Sequence, residues 1–401
     1  MRIKSNKNKK LKLIKNIFKS NIKIISIGGI SILLPFAVLL HSPSRRYLSR
    51  IIPVKYEDTT YRIFKEIVKI PLITKNYIKG NLTKPTKLSL EINFKNYKKL
   101  ESKAEEAKKL GFLLSNPDDF VNAKLIHKKG SLKAKVRLKG DELDHLQNKK
   151  WSFRVKIKND ETYNGMNKFS LQSPKTRNFI YEWVYHRLLE KENLPSLQYS
   201  FVKLDLNGKD LGIYALEEHF DKQLLESNGF KEGPILKYFD SVWVSRRLRR
   251  LKGLEPNDGI KSLASSMFYE WRAGAHKQNK NLKDPILKKN LLNALYLLEG
   301  FQYGDLKTSD VFELEPLASY FAIIDLLGAH HSIMMSNLRF YYNPITSKLI
   351  PIGFDGQGGY PISSLSYDLI RSGSTAQPGT SGYTKLDFWE DPKFFKVYIS
   401  K

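Results

Sequence analysis

The stretch Ser131–Lys139, SLKAKVRLK, alternates apolar and cationic residues: Ala134, Val136 and Leu138 fall on one face of an extended chain, and Lys133, Lys135, Arg137 and Lys139 on the other. Trp151–Lys158, WSFRVKIK, repeats the pattern, with Trp151, Phe153, Val155 and Ile157 opposed to Arg154, Lys156 and Lys158. A period of two predicts two strands, each with one face in a core and one face positive. The joining segment, Gly140-Asp141 to Lys149-Lys150, could fold over an anion with its backbone N–H groups, although a solvated lysine face is the commoner meaning of such a pattern.

Further elements follow on both sides. Leu88–Phe94 alternates as a half-buried strand, and Lys95–Leu110 carries Leu100, Ala104, Ala107 and Leu110 at helical spacing before Gly111 stops it. A helix is expected from about Thr176 to Glu190, entered through Ser173-Pro174. Phe201–Leu206 and Leu211–Leu216 flank Asn207-Gly208, the strongest hairpin signal in the chain. Val242 to Asp310 reads as a helical insertion with a basic run at Arg246, Arg247, Arg249, Arg250 and Lys252, which docks an acidic substrate or simply faces water. Glu315–Ala329 is apolar enough for a buried helix, and the Gly, Ser and Thr of Gly373–Gly382 suit a loop.

The chain has 401 residues, a formal net charge of +28 and no cysteine. Cysteine-type zinc sites, disulfide scaffolds, iron–sulfur clusters and thiol nucleophiles are therefore excluded together. The positive charge is spread along the whole chain, so no specific nucleic-acid partner is expected. Before Ile24 the chain is strongly basic, and Ile24–Leu40 is an unbroken apolar run with no cleavage site after it. That order predicts one transmembrane signal anchor, with a cytoplasmic N-terminus and the domain outside the cell membrane. The expected layout is a basic tail over 1–23, the anchor over 24–40, a juxtamembrane linker over 41–85, and a domain over 86–401 with its insertion at 240–310. No G-x-x-x-x-G-K-[ST], H-E-x-x-H or G-x-S-x-G occurs, which disfavours P-loop, zincin and hydrolase chemistry.

Asn337–Tyr342, the turn Asn343–Ser347, and Lys348–Gly356 read as a hairpin with its polar ends together. A turn centred between Ile345 and Thr346 sets Asn337 opposite Phe354 or Asp355. An amide oxygen and a carboxylate then meet, hard ligands suited to Mg²⁺ and of the kind that hold metal–nucleotide in protein kinases. Asn before a strand and Asp-Gly after one are also ordinary turn residues.

Several stretches in order resemble the CotH-type spore-coat kinase family of atypical protein kinases. They are Val136–Asp141, Lys149–Lys156, Asn167–Leu171 before Arg177-Asn178, Leu206–Gly208, Leu211–Glu218, Tyr320–Ile323 and the Asn337–Asp355 hairpin. The resemblance implies a kinase-like α+β fold, ATP with Mg²⁺ or Mn²⁺, and transfer of the γ-phosphoryl to Ser or Thr of a protein substrate. It also implies Asn337 and Asp355 as metal ligands, with Arg137, Lys150, Arg154, Lys156 and Glu218 at the nucleotide and its phosphates. Two departures stand out. His331 occupies the place of the family's catalytic Asp and becomes the candidate base, and Ile352-Gly353-Phe354-Asp355 keeps one carboxylate where the family commonly has two. Together these features describe a membrane-anchored Ser/Thr kinase acting on envelope or exported proteins, acidic ones included. The alternative is an inactive pseudokinase that binds an anionic envelope polymer or protein.

Overall fold

A computed structural model describes residues 74–80, 82–147, 150–239, 271–362, 364–372 and 386–401, with a few positions between 245 and 253. Two compact units divide between Lys84 and Pro85, and everything below concerns the second.

Seven strands form its first half: β1 (Lys87–Glu91), β2 (Val121–His127), β3 (Gly130–Leu138), β4 (Phe153–Ile157), β5 (Lys168–Gln172), β6 (Tyr199–Leu206) and β7 (Lys209–Glu218). They close into a barrel in the order β1-β2-β3-β4-β5-β7-β6, sealed by a parallel pairing of β1 with β6. The alternation seen in the sequence decides what goes inside: Val136, Phe153, Val155, Phe169 and Leu171 are all fully buried in the interior. Each such side chain contributes roughly 1.5–3 kcal/mol by leaving water. Helix α1 (Phe94–Leu110) covers one side, capped by the Asn93 side chain and ended by Gly111 at φ 80°. At the β6–β7 turn, Asn207 and Gly208 both take positive φ, as the tight hairpin requires. The Asn207 amide also accepts from Ile92 N (2.7 Å) and donates to Ile92 O (2.9 Å), pinning the end of β1.

The second half carries β8 (Ile235–Phe239), β9 (Arg272–Ala275), β10 (Arg339–Asn343) and β11 (Lys348–Pro351) in the order β11-β10-β8-β9. Around them pack α2 (Tyr181–Lys191), α3 (Pro285–Tyr303), α4 (Leu314–Leu327) and α5 (Pro392–Tyr398) over a separate core that includes Phe312, Phe321 and Phe388. The β10–β11 register pairs Phe340 with Pro351 and Tyr341 with Ile350, which is the pairing a turn centred between Ile345 and Thr346 demands.

The helix expected from Thr176 is interrupted. Pro174–Arg177 is a 3₁₀ turn, Asn178 and Phe179 take left-handed backbone at φ 49° and 58°, and α2 begins only at Tyr181. Between Val242 and Asp310 the described residues include strand β9 as well as helices. Arg246, Arg247 and Arg250 of the basic run, and the loop 373–382, lie outside the described residues.

The expected fold class, an α+β kinase-like domain led by one transmembrane helix, needs correction. The strands close into a seven-stranded barrel, and among the described residues no helix is long and apolar enough to cross a membrane. The apolar run 24–40 lies outside the described residues. With no such helix among the described residues, the single-pass localisation and the membrane as a partner through that helix are not supported.

Candidate active site

The cationic face of β3 runs along the outside of the barrel and ends at Lys139, one residue past the strand. There the side chain is 5% exposed. Its ammonium donates to Gln172 Oε1 and to Glu217 Oε1 (3.3 Å). Glu217 is fully buried and also accepts from Gln172 Nε2 (2.8 Å) and the Ser170 hydroxyl (3.4 Å). Burial pulls the Lys139 ammonium down to about 8, with the Glu217 carboxylate as the main influence holding it up. Burial would raise Glu217, but Lys139, Arg177 and Arg154 outweigh it and keep the carboxyl below its ordinary range.

The broken helix brings Arg177 to the same place. Its Nε stands 3.7 Å from Glu217 Oε2 and 3.0 Å from Asp355 Oδ1, so one guanidinium joins the barrel to the loop after β11. Asp355 Oδ1 is also 3.3 Å from His331 Nδ1 and accepts from Gln357 Nε2 (3.0 Å). Burial works against this carboxylate, yet Arg177 and His331 hold it far below the ordinary range. Burial would likewise lower His331, but the charge of Asp355 and its hydrogen bonds raise it above its ordinary value. The loop is held from beneath by Glu182, fully buried on α2, which accepts from Gly356 N (3.2 Å) and Gln357 N (3.0 Å).

Asn337 and Asp355 meet through His331. The Asn337 amide nitrogen donates to His331 O (2.9 Å) and lies 3.1 Å from His331 Nδ1. Because a carbonyl can only accept, the amide nitrogen must face it, which leaves Oδ1 on the other side. Neither Asn337 Oδ1 nor Asp355 Oδ2 has a hydrogen-bond partner among the described residues. No group of three or more His, Asp or Glu able to hold a metal occurs among the described residues. In donor chemistry an amide oxygen and a carboxylate oxygen suit a divalent cation of the Mg²⁺ type, which keeps waters and takes phosphate oxygens for its remaining ligands.

The other residues expected at a nucleotide spread out. Arg137 turns to Ser115, donating to its hydroxyl (2.6 Å), and its guanidinium lies over Phe120. Lys150 sits with its ammonium 5.2 Å from the Tyr214 ring centre, and Lys156 is exposed. Arg154 is buried on the same barrel face as Glu217, which lies one strand beyond its cross-strand neighbour Ser170. Glu218 points away from Glu217, accepts from Gln198 N (2.9 Å), and is pushed up to about 7 by burial. The acid beside Lys139 is thus Glu217, and Lys139, Gln172, Arg177 and Glu182 join the site although the sequence reading assigned them no role there. Strand parity was the available signal for Glu217. Tyr214 and Leu216 belong to the barrel interior, so the next residue of that alternation on the outer face is 217.

A buried Lys–Glu pair on the barrel, a carboxylate after β11 and an amide six residues beyond His331 are linked through Arg177 and His331. Among curated proteins none matches the chain. The family model described as CotH kinase protein matches residues 136–372, which include every one of these groups and more than half of the sequence. The chain belongs to the CotH kinase protein family.

Proposed function

We propose that this domain binds ATP with Mg²⁺ or Mn²⁺ beside Lys139 and Asp355 and transfers the γ-phosphoryl to a Ser or Thr hydroxyl of a protein. The observation that carries this reading is the buried chain of charge Lys139–Glu217–Arg177–Asp355. Glu217 fixes the Lys139 ammonium at the end of β3, and in this reading the ammonium binds nucleotide phosphate. Asp355 Oδ2 and Asn337 Oδ1 would hold the cation, whose chemistry is to neutralise phosphate charge. Glu182 and Arg177 hold the Asp355 loop in place. His331 Nδ1 is committed to Asp355, so Nε2 is the atom that could take the hydroxyl proton as the oxygen attacks phosphorus and the bond to ADP breaks. It can do so only when neutral, and Asp355 works against that.

The test is transfer of labelled γ-phosphate by the full chain to itself or to Ser/Thr-rich and acidic proteins, with Mg²⁺ and Mn²⁺ supplied separately. Incorporation into Ser or Thr supports the reading. A second reading, an inactive domain that binds an anionic polymer or protein, is favoured by His331 in place of the family's Asp and by the internal cations already on Asp355. Metal–ATP binding without transfer to any protein offered would favour it.

A further inference from the structure

The outer face of the barrel carries its charge unevenly. Where β1, β6 and β7 meet, lysines are answered by acids: Lys87 stands 3.6 Å from Asp205, and Lys203 stands 2.7 Å from Asp210. On α1, Lys98 and Lys103 meet Glu101 and Glu106 one turn further on. The face made by β2, β3 and β4 differs. Its register sets lysine against lysine: Lys124 on β2 faces Lys133 on β3, and Lys135 on β3 faces Lys156 on β4. Lys133 has another lysine on its far side, because Lys158 N donates to Lys133 O (2.9 Å).

Directly opposed side chains lie roughly 5 Å apart at Cβ, and like charges placed so repel. Lys124, Lys133, Lys135 and Lys156 are all exposed, and none forms a salt bridge among the described residues. Asn122, Ile126 and Ser131, which alternate with them on the same face, bring no counter-charge. A lysine-rich composition accounts for cations on every face of the molecule. It does not account for a face from which acids are missing while the rest of the barrel pairs its lysines. The ladder is also continuous with the candidate active site. On β3 the same face runs from Lys133 and Lys135 through Arg137 to Lys139, which places the ladder about 13 to 20 Å from Lys139 along an extended strand.

We propose that Lys124, Lys133, Lys135 and Lys156 form a docking surface for an extended acidic segment of a partner protein, which in the kinase reading is the substrate. Alternate side chains of an extended peptide recur at roughly 6.7 Å, the spacing of Lys133 and Lys135 along their own strand. Asp or Glu at every second position therefore meets both rows of lysines. Ammonium groups on flexible stems act as point charges and suit a segment with no fixed carboxylate geometry. A single-stranded nucleic acid fits this face less well, because none of the outward residues of β2, β3 and β4 is aromatic and its bases have nothing to stack on. The proposal rests on the kinase reading only for the partner being a substrate, and its readout is binding without ATP.

The experiment measures, by fluorescence anisotropy, binding of a labelled ten-residue peptide of alternating Glu and Ser to the full chain, at two chloride concentrations. The peptide should bind wild type, more weakly at the higher chloride, and the same peptide with Gln for Glu should not bind. The triple variant Lys133→Gln/Lys135→Gln/Lys156→Gln should weaken binding roughly 5- to 100-fold. The control Lys87→Gln/Lys98→Gln/Lys203→Gln removes the same charge from exposed lysines that already have acidic partners, and it should stay within about twofold of wild type. All six positions are exposed or half-buried, so both variants should fold, which thermal unfolding checks. An equal loss in both triple variants would reduce the effect to net charge and overturn the proposal. So would unchanged binding in the first variant, or tighter binding of an oligothymidylate of equal charge with the same variant pattern, which would assign the face to a phosphodiester polymer. A chain that binds the peptide through these lysines yet transfers no phosphate loses the kinase reading and keeps the docking surface.

Discussion

Replacing Glu217 by Gln removes one charge and almost no shape, so its effect isolates the buried charge chain. Gln can still accept from Gln172 Nε2, but Lys139 and Arg177 lose their shared carboxylate. The lysine's share of the cost is limited. Its value is pulled down to about 8, so at pH 7 it can shed its proton for only about 1 kcal/mol, which limits its share. Arg177 cannot deprotonate and keeps Asp355 at 3.0 Å, so its share is a weakened rather than a broken pair. The two together give roughly 2–4 kcal/mol, or about 4–8 °C in Tm for a domain of this size. The assay is thermal unfolding of wild type and Glu217→Gln at pH 7, followed by the double variant Lys139→Met/Glu217→Gln. The double variant should recover part of the loss, since Met in place of Lys139 leaves no buried ammonium uncompensated. A Glu217→Gln protein within about 1 °C of wild type would refute the charge chain as a structural feature.

Asp355→Ala should abolish metal-dependent stabilisation by ATP, whereas Lys158→Ala, whose ammonium donates to Asn122 on the exposed side of the barrel, should leave it unchanged; thermal shift with and without Mg²⁺ reads both. His331→Ala should lower phosphoryl transfer by the ~10²–10⁴ expected for loss of a general base while ATP still binds, and His331→Asp should retain transfer; equal activity in His331→Ala would make this histidine structural. Glu218 titrates at about 7 in the fold against an ordinary value of 4.5, so the folded state holds a proton that the unfolded state releases, and stability falls as pH rises through that window by roughly 3 kcal/mol. Glu218→Gln should remove that contribution, visible as a smaller stability difference between pH 5 and pH 8 in chemical denaturation.

Alternation made the barrel strands legible because each buries one face, and the hairpin register followed from the position of its turn. Closure was not legible: it depends on the parallel pairing of Lys87–Leu90 with Lys203–Leu206, residues more than a hundred positions apart that carry no mutual signal. Glu217 and Glu218 were hard to tell apart because the end of β7 is buried on both faces, so polarity no longer marks the solvent side. Arg177 was hidden by its setting. The pattern around it suits a continuous helix, and the left-handed backbone at Asn178, which tolerates it, and at Phe179, where it is uncommon, breaks that helix next to Arg177, whose guanidinium meets Glu217 and Asp355. Asn337 and Asp355 were visible as hairpin ends, but the histidine that links them was noticed for its place in a motif, with no sign of its contact to both.

The central claim is that Lys139, held by Glu217, and Asp355, held by Arg177, form one phosphotransfer centre. Its most direct test is the rate of labelled γ-phosphate incorporation by the full chain, measured side by side for wild type, Lys139→Met and Asp355→Asn at saturating ATP with Mg²⁺ or Mn²⁺. The account predicts transfer by wild type and a loss of roughly 10²-fold or more in each variant. Transfer by either variant at the wild-type rate, or none by wild type with either metal, would contradict it.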